Sequence, residues 1–339
     1  MERRPPPTSE LPSSLSPERR EELLGLLRQM ILIRRFEEKV AEMYTRAKIG
    51  GFVHLNIGEE ASIVGMLSPL GANDYLFTSY RDHGYALARG SDPKAIMAEL
   101  FGKVTGVSKG RGGSMHLFDA ERHFYGGYAI VGGLIPIATG AGLAINYRDS
   151  DEVVLCAFGE GATNIGAFHE GLNVAKLWHL PVVFTCVNNL YGMGTAVSRA
   201  SAVSEIWRKA CAYDMYAERV DGMDVLAVRN SAAAAIDRAR EEREPTLLEM
   251  VTYRYRGHSM ADPARYRTEE EVRWWKERDP ILGFESKLKE NGIITQQDVD
   301  QIEADVARVV SEAVEFADSS PAPDVSDLTK HVYVESEGG

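Results

Sequence analysis

The chain has 339 residues, 44% of them hydrophobic, and 38 basic against 50 acidic residues give a formal charge of −12. That length can bury a substantial core, and an acidic balance with no segregated basic stretch excludes a nucleic-acid groove. There is no apolar run of about 18 residues, so neither a transmembrane helix nor a membrane partner is expected, and the three cysteines offer neither a disulfide framework nor zinc spacing.

The opening, residues 1–16, mixes arginine, proline and serine with Glu2 and Glu10 and lacks an apolar core segment, so it reads as a disordered arm without a secretory signal, on a cytoplasmic protein. From Pro17 to about Lys48 a helix is expected, with Leu23, Leu27, Met30, Ile31, Arg34 and Phe36 along one stripe, and Gly50-Gly51 ending it. Then His54 stands among apolar residues ahead of a second helix; by itself such a histidine fits a core position better than a site. Asp74 to Ser79 reads as a strand that empties into Tyr80-Arg81-Asp82, where Arg81 is by residue type alone as well suited to pairing with Asp82 as to holding a phosphate. The run Gly106 to His116 is glycine-rich but lacks the Gly-Lys-Ser/Thr ending of a phosphate loop. Phe124 to Pro136, dense in glycine, allows backbone to approach a ligand, and the small residues from Ile137 to Tyr147 make a closely packing helix.

Val153 to Phe158 and Pro181 to Val187 read as buried parallel strands around a helix with Ile165, Phe168, Leu172 and Ala175 at helical spacing. In open parallel sheets ligands bind at the carboxyl ends of strands, where Glu160 and Asn188-Asn189 fall. A nicotinamide dinucleotide fingerprint would need glycine at Asn164 and an acid roughly 20 positions on, and neither is present. A carboxylate in a phosphate-facing turn needs a cation between them, and magnesium resolves the conflict, with Glu160 supplying a carboxylate, Asn189 a side-chain oxygen and Tyr191 a main-chain carbonyl.

A strand ending at Asp221, an alanine-rich helix from Ser231 to Glu242 and a strand from Thr246 to Tyr255 complete a doubly wound, mostly parallel α/β sheet with helices on both faces, taken as one domain over 17–318. Arg256 to Thr268 is a basic loop punctuated by glycine and proline; its arginines, with Arg254, are expected to repel one another in an empty site. Two helices, about Glu269 to Asn291 and Thr295 to Ala317, form a C-terminal extension from about 269 before a tail, 319–339.

Gly159-Glu160-Gly161, 26 intervening residues, then Asn188-Asn189 resembles the thiamine diphosphate motif, and Asn-Asn-Leu-Tyr-Gly-Met-Gly-Thr resembles its form in alpha subunits of 2-oxoacid dehydrogenases. Glu160 departs from the usual Asp. The resemblance implies a thiamine-diphosphate-binding fold, thiamine diphosphate and Mg2+ as cofactors, and oxidative decarboxylation of a 2-oxoacid. Tyr-Arg-Tyr-Arg-Gly-His-Ser-Met favours pyruvate over acetoin or branched-chain substrates. It further implies that His54 faces the reactive end of the cofactor, and that Tyr80, Arg81 and His258 meet its diphosphate. Ala129, standing where the family commonly has Gly, and Val131 would supply backbone, with Gly161 and Ala162 beside them. Ser259 matches a regulatory serine, whereas a second such serine is missing because Asp262 to Tyr266 interrupts the pattern. Implied partners are a pyruvate dehydrogenase beta subunit in an α2β2 heterotetramer, and the lipoyl domain and dihydrolipoyl acetyltransferase core.

Overall fold

The structure, a computed structural model, describes residues 15–330 and 332. The expected N-terminal arm, except its last two residues, and the end of the tail lie outside the described residues. Helix α1 (Pro17–Thr45) starts where Ser16 accepts the Arg19 N–H and Pro17 occupies a position needing no donor. It stops at Thr45, ahead of the expected end near Lys48. Its Leu23, Leu27, Met30, Ile31 and Phe36 are buried as their spacing predicts. Arg34, from the same stripe, instead reaches both oxygens of buried Glu60, at 2.5 and 3.0 Å, and Asp279 at 3.0 Å.

After α1 the order is α2 (Glu60–Leu67), β1 (Tyr75–Ser79), α3 (His83–Arg89), α4 (Pro93–Leu100), β2 (Phe124–Tyr128), α5 (Leu134–Arg148), β3 (Val154–Gly159), α6 (Gly166–Leu177) and β4 (Val182–Asn188). A short hairpin of β5 (Tyr191–Gly192) and β6 (Thr195–Ala196) leads into α7 (Val197–Ala200). Then come β7 (Tyr216–Asp221), α8 (Val225–Asp237), β8 (Thr246–Val251), α9 (Glu269–Lys276), α10 (Pro280–Glu290) and α11 (Gln296–Ser319). Six strands form one sheet in the order β2-β1-β3-β4-β8-β7, and every pairing in it is parallel. Alternate residues face opposite layers: Leu155, Ala157, Val183 and Val187 pack toward α1, α2 and α8, while Cys156, Phe158, Phe184 and Cys186 pack toward α5 and α6. Both faces are therefore covered, which is why these strands read as continuous apolar runs. No helix of the described residues is long and apolar enough to cross a membrane.

Three sequence expectations need correction. Phe124–Tyr128 is a strand as well as a glycine-dense segment; Gly127 is required because a Cβ there would stand 1.9 Å from Asp82 Oδ2. The helix expected from Glu269 to Asn291 is two, because Asp279 caps a new helix at Pro280 through the Ile281 and Leu282 N–H groups. Strand β8 ends at Val251 rather than Tyr255, and the residues beyond it carry part of the site.

The glycine-rich run from Gly106 to His116 is a loop that holds an anion of its own. Buried Glu99 accepts four backbone N–H groups, from Ser108 and Gly110 at 2.8 Å, Gly112 at 2.7 Å and Gly113 at 3.1 Å. This carboxylate takes the place that a phosphate would occupy in a binding loop. Glu99→Ala strands those donors and is expected to destabilise the protein by roughly 3 kcal/mol, read as a lower urea midpoint; an unchanged midpoint would show that the loop holds itself.

Candidate active site

Strand β1 has β2 on one side and β3 on the other, so the chain's connections diverge there and leave a crevice at the carboxyl ends of the strands. Four strand ends feed it: β1 runs into Tyr80 and Arg81, β3 into Glu160, Gly161 and Ala162, β4 into Asn189, and β8 into Arg254. Arg81, Glu160, Asn189 and Arg254 are all buried, an unusual density of polar side chains for a protein interior.

Glu160 is the most constrained of them. Burial pushes its carboxyl up to about 7, the Glu59 charge adds to this, and backbone N–H groups with the Arg254 charge oppose it. Asn189 is oriented by a 2.7 Å bond from its amide nitrogen to Glu59 Oε1, which turns Oδ1 toward Arg254 Nη1 at 3.3 Å. The Tyr191 carbonyl accepts from the same Nη1, also at 3.3 Å. Arg254 therefore lies against two of the three oxygens expected to bind a cation. A Cβ on Gly192 would stand 3.5 Å from Glu160 Oε1, so the glycine leaves room beside the carboxylate. The turn that presents these groups is strained, with Leu190 at φ 75° and Met193 at φ 53°. Among the described residues no three His, Cys, Asp or Glu side chains gather as a metal site. One carboxylate, one amide and one carbonyl are nonetheless the hard oxygens that magnesium takes alongside phosphate and water.

The two histidines meet because residues 53–58 lie against the chain beyond β8. Gly58 has φ 101°, and a Cβ on it would stand 2.2 Å from the Tyr253 carbonyl, so only glycine permits the approach. Tyr255 N–H then donates to Ile57 O and Met260 N–H to Val53 O, each at 2.9 Å. This pairing sets the His54 ring 5.0 Å from that of His258 and 4.6 Å from that of Tyr80. Burial and the charge of Arg81 push His54 down to about 2 and His258 down to about 4, so both imidazoles are neutral near pH 7. The Nδ1 atoms of both are buried without a hydrogen-bond partner among the described residues. Orphaned atoms of this kind are rare in folded interiors and fit a site that receives a polar ligand.

Arg81 has a different immediate task from the one expected. Its fork donates to the carbonyls of Leu55 at 2.8 Å and His258 at 2.9 Å, clamping the two histidine segments together. Val131 is half-exposed, on a loop packed against the Glu160 turn: a Cβ on Gly132, at φ 73°, would come 3.7 Å from Ala162 Cβ. The loop that carries Ala129 and Val131 thus meets the turn at Ala162 through Gly132. The Arg256 to Thr268 loop is clasped by hydrogen bonds of its own. Asp262 accepts from His258 N–H at 2.6 Å, Ala264 N–H at 2.8 Å and the Tyr266 hydroxyl at 2.7 Å, and Tyr266 in turn accepts from Arg254 at 2.9 Å. Arg267 donates to the carbonyls of Arg254, Tyr255 and Arg256. Sequence reasoning missed the orienting role of Glu59 and the cationic role of Arg254; the signal for Arg254 was its place just past a parallel strand's carboxyl end.

A family model described as Dehydrogenase E1 component matches residues 28–326. The Pyruvate dehydrogenase E1 component subunit alpha of Rhizobium meliloti (strain 1021) is 47% identical over 310 residues, covering 91% of this chain and 89% of that protein. The proteins of the same name from Rickettsia felis and Porphyra purpurea are each 44% identical, covering 93% of this chain and 96% and 93% of their own lengths. Matched along nearly its whole length and carrying buried Glu160 and Asn189 at its strand ends beside the paired histidines, the chain belongs to the dehydrogenase E1 component family.

Proposed function

We propose that this chain is the alpha subunit of a pyruvate dehydrogenase E1 component. It binds thiamine diphosphate and Mg2+ in the crevice, acts with a beta subunit in an α2β2 assembly, and passes the acetyl unit to the lipoyl group of a dihydrolipoyl acetyltransferase core. The observation that carries this reading is the buried, proton-hungry Glu160 beside the oxygens of Asn189 and Tyr191, with two neutral histidines facing each other nearby.

When bound, the cofactor supplies the carbanion that attacks the 2-oxo carbon and the electron sink that lets carbon dioxide leave. The chain's own residues bind and orient. Glu160, the Asn189 amide oxygen and the Tyr191 carbonyl hold Mg2+ against the diphosphate. His258 and Tyr80 donate to diphosphate oxygens, since a neutral imidazole has one N–H and burial keeps the Tyr80 hydroxyl protonated. The main chain at Ala129, Val131, Gly161 and Ala162 lines the diphosphate's path. His54, neutral and nearly sealed from solvent, presents an imidazole to the reacting end without adding charge there.

The name borne by the relatives supports a beta-subunit partner. So does the outer face of α5, where Ile137, Leu143 and Tyr147 are exposed in line with the small residues Gly140 and Ala144. A helix face of that length whose one charge is Arg148 at its last residue is suited to another subunit of the assembly.

The purified chain alone, given thiamine diphosphate, Mg2+ and an artificial electron acceptor, is expected to leave pyruvate unchanged, and addition of the beta subunit to start decarboxylation. Turnover by the alpha chain alone would overturn the division of labour.

The raised Glu160 carboxyl gives a pH signature. Without metal it takes up a proton below about pH 7, whereas Mg2+ keeps it ionised, so metal binding releases a proton in that range. The affinity for Mg2+ should level off above about pH 7 and fall toward roughly tenfold per unit below it. Calorimetry in buffers of different ionisation enthalpy measures both; a flat affinity with no proton release would remove Glu160 from the metal site.

A further inference from the structure

A second cleft, of about 600 Å3, opens along the Arg256 to Thr268 loop and α9, and none of Glu160, Asn189, Arg254 or His258 lines it. Four cations do: Arg256, Arg267, Arg273 and Lys276. Arg267 is committed to the backbone carbonyls it holds. The side chains of the other three make no hydrogen bond or ion pair among the described residues. Many surface cations elsewhere are paired, as Arg35 is with Glu38 and Glu303, Lys48 with Asp318 and Lys94 with Glu312, and those that are not, such as Arg28, Lys109 and Arg199, do not line this cleft. Of the two carboxylates on the cleft wall, Asp262 is saturated by the donors that clasp the loop, which leaves Glu269 alone to offset three charges.

Three unpaired cations around one cavity repel one another, and the cluster persists in a chain whose net charge is −12. We infer that this cleft is a binding site for a phosphorylated small molecule carrying more than one negative charge. Two guanidinium forks and an ammonium on flexible stems match phosphate oxygens arranged over more than one phosphorus. The Ser259 hydroxyl, which makes no hydrogen bond among the described residues, adds a donor on the same wall. A cavity of this size accepts a ligand of nucleotide dimensions. None of the side chains assigned to the diphosphate lines this cleft, so on this proposal both are filled together.

The test uses the assembled enzyme saturated with thiamine diphosphate and Mg2+, and radiolabelled inorganic pyrophosphate in equilibrium dialysis. One further pyrophosphate per alpha chain is expected, weakening with added salt. Arg273→Glu with Lys276→Glu, both on the exposed side of α9, should weaken it by at least roughly tenfold. Arg273→Gln with Lys276→Gln should fall between, and neither pair should alter turnover measured without pyrophosphate or the melting temperature. Absence of binding to the saturated assembly would overturn the proposal, as would equal binding by the reversed-charge enzyme. If the crevice failed to bind thiamine diphosphate, pyrophosphate binding there would be indifferent to Arg273 and Lys276, so that failure is told apart from this one.

Discussion

A carboxylate buried where a diphosphate must lie is the constraint around which this molecule is arranged. Raising Glu160 from about 4.5 to about 7 corresponds to roughly 3 kcal/mol against its ionised form. The sign follows from linkage: a raised carboxyl stabilises the fold only while protonated, so its contribution is whole at acid pH and lost as pH rises through about 7. A bound cation returns what ionisation removes. Arg254 donates to the Asn189 and Tyr191 oxygens, and its charge favours the ionised form of Glu160. Buried charges with partners of this kind are tolerated because each has a counter-charge or a hydrogen bond, and together they specify one geometry.

That geometry is held from outside the sheet. Arg34 on α1 binds Glu60 at the start of α2 and Asp279 at the cap of α10, tying three helices through one guanidinium. Glu60 also accepts the Gly58 N–H, and Gly58 is the residue whose conformation lets the His54 segment lie on the chain beyond β8. The ion cluster thus fixes the distance between His54 and His258 through the backbone. Truncating Arg34 would leave a buried carboxylate pair without its cation, and the disturbance would pass to the histidines without any direct contact.

Local patterns were legible in the sequence, and long-range pairings were not. The β3-α6-β4 unit was readable because its apolar periods are unbroken, and Glu160 and Asn189 came with it because both sit at the ends of that one unit. Strand β2 was hidden by Gly126 and Gly127, which carry no β-branched signal and are needed for the close approach of Phe118 and Asp82 respectively. The break between α9 and α10 was written in Asp279-Pro280, a cap followed by proline, but the charged sequence on either side obscured it. The roles of Glu59 and Arg254 depend on residues 53–58 meeting residues 253–260, nearly two hundred positions away, and Gly58 was the lone local trace of that contact. Asp262 looked like an interruption of a serine pattern, yet its three accepted hydrogen bonds make it the clasp of the loop.

The central claim is that Glu160 anchors the metal through which the chain holds its cofactor, and calorimetric titration of thiamine diphosphate into the α2β2 assembly, with and without Mg2+, tests it most directly. In the native enzyme binding should require Mg2+; in Glu160→Ala that dependence should vanish along with tight binding, while Glu160→Asp should keep both. Native affinity and native Mg2+ dependence in Glu160→Ala would contradict the account.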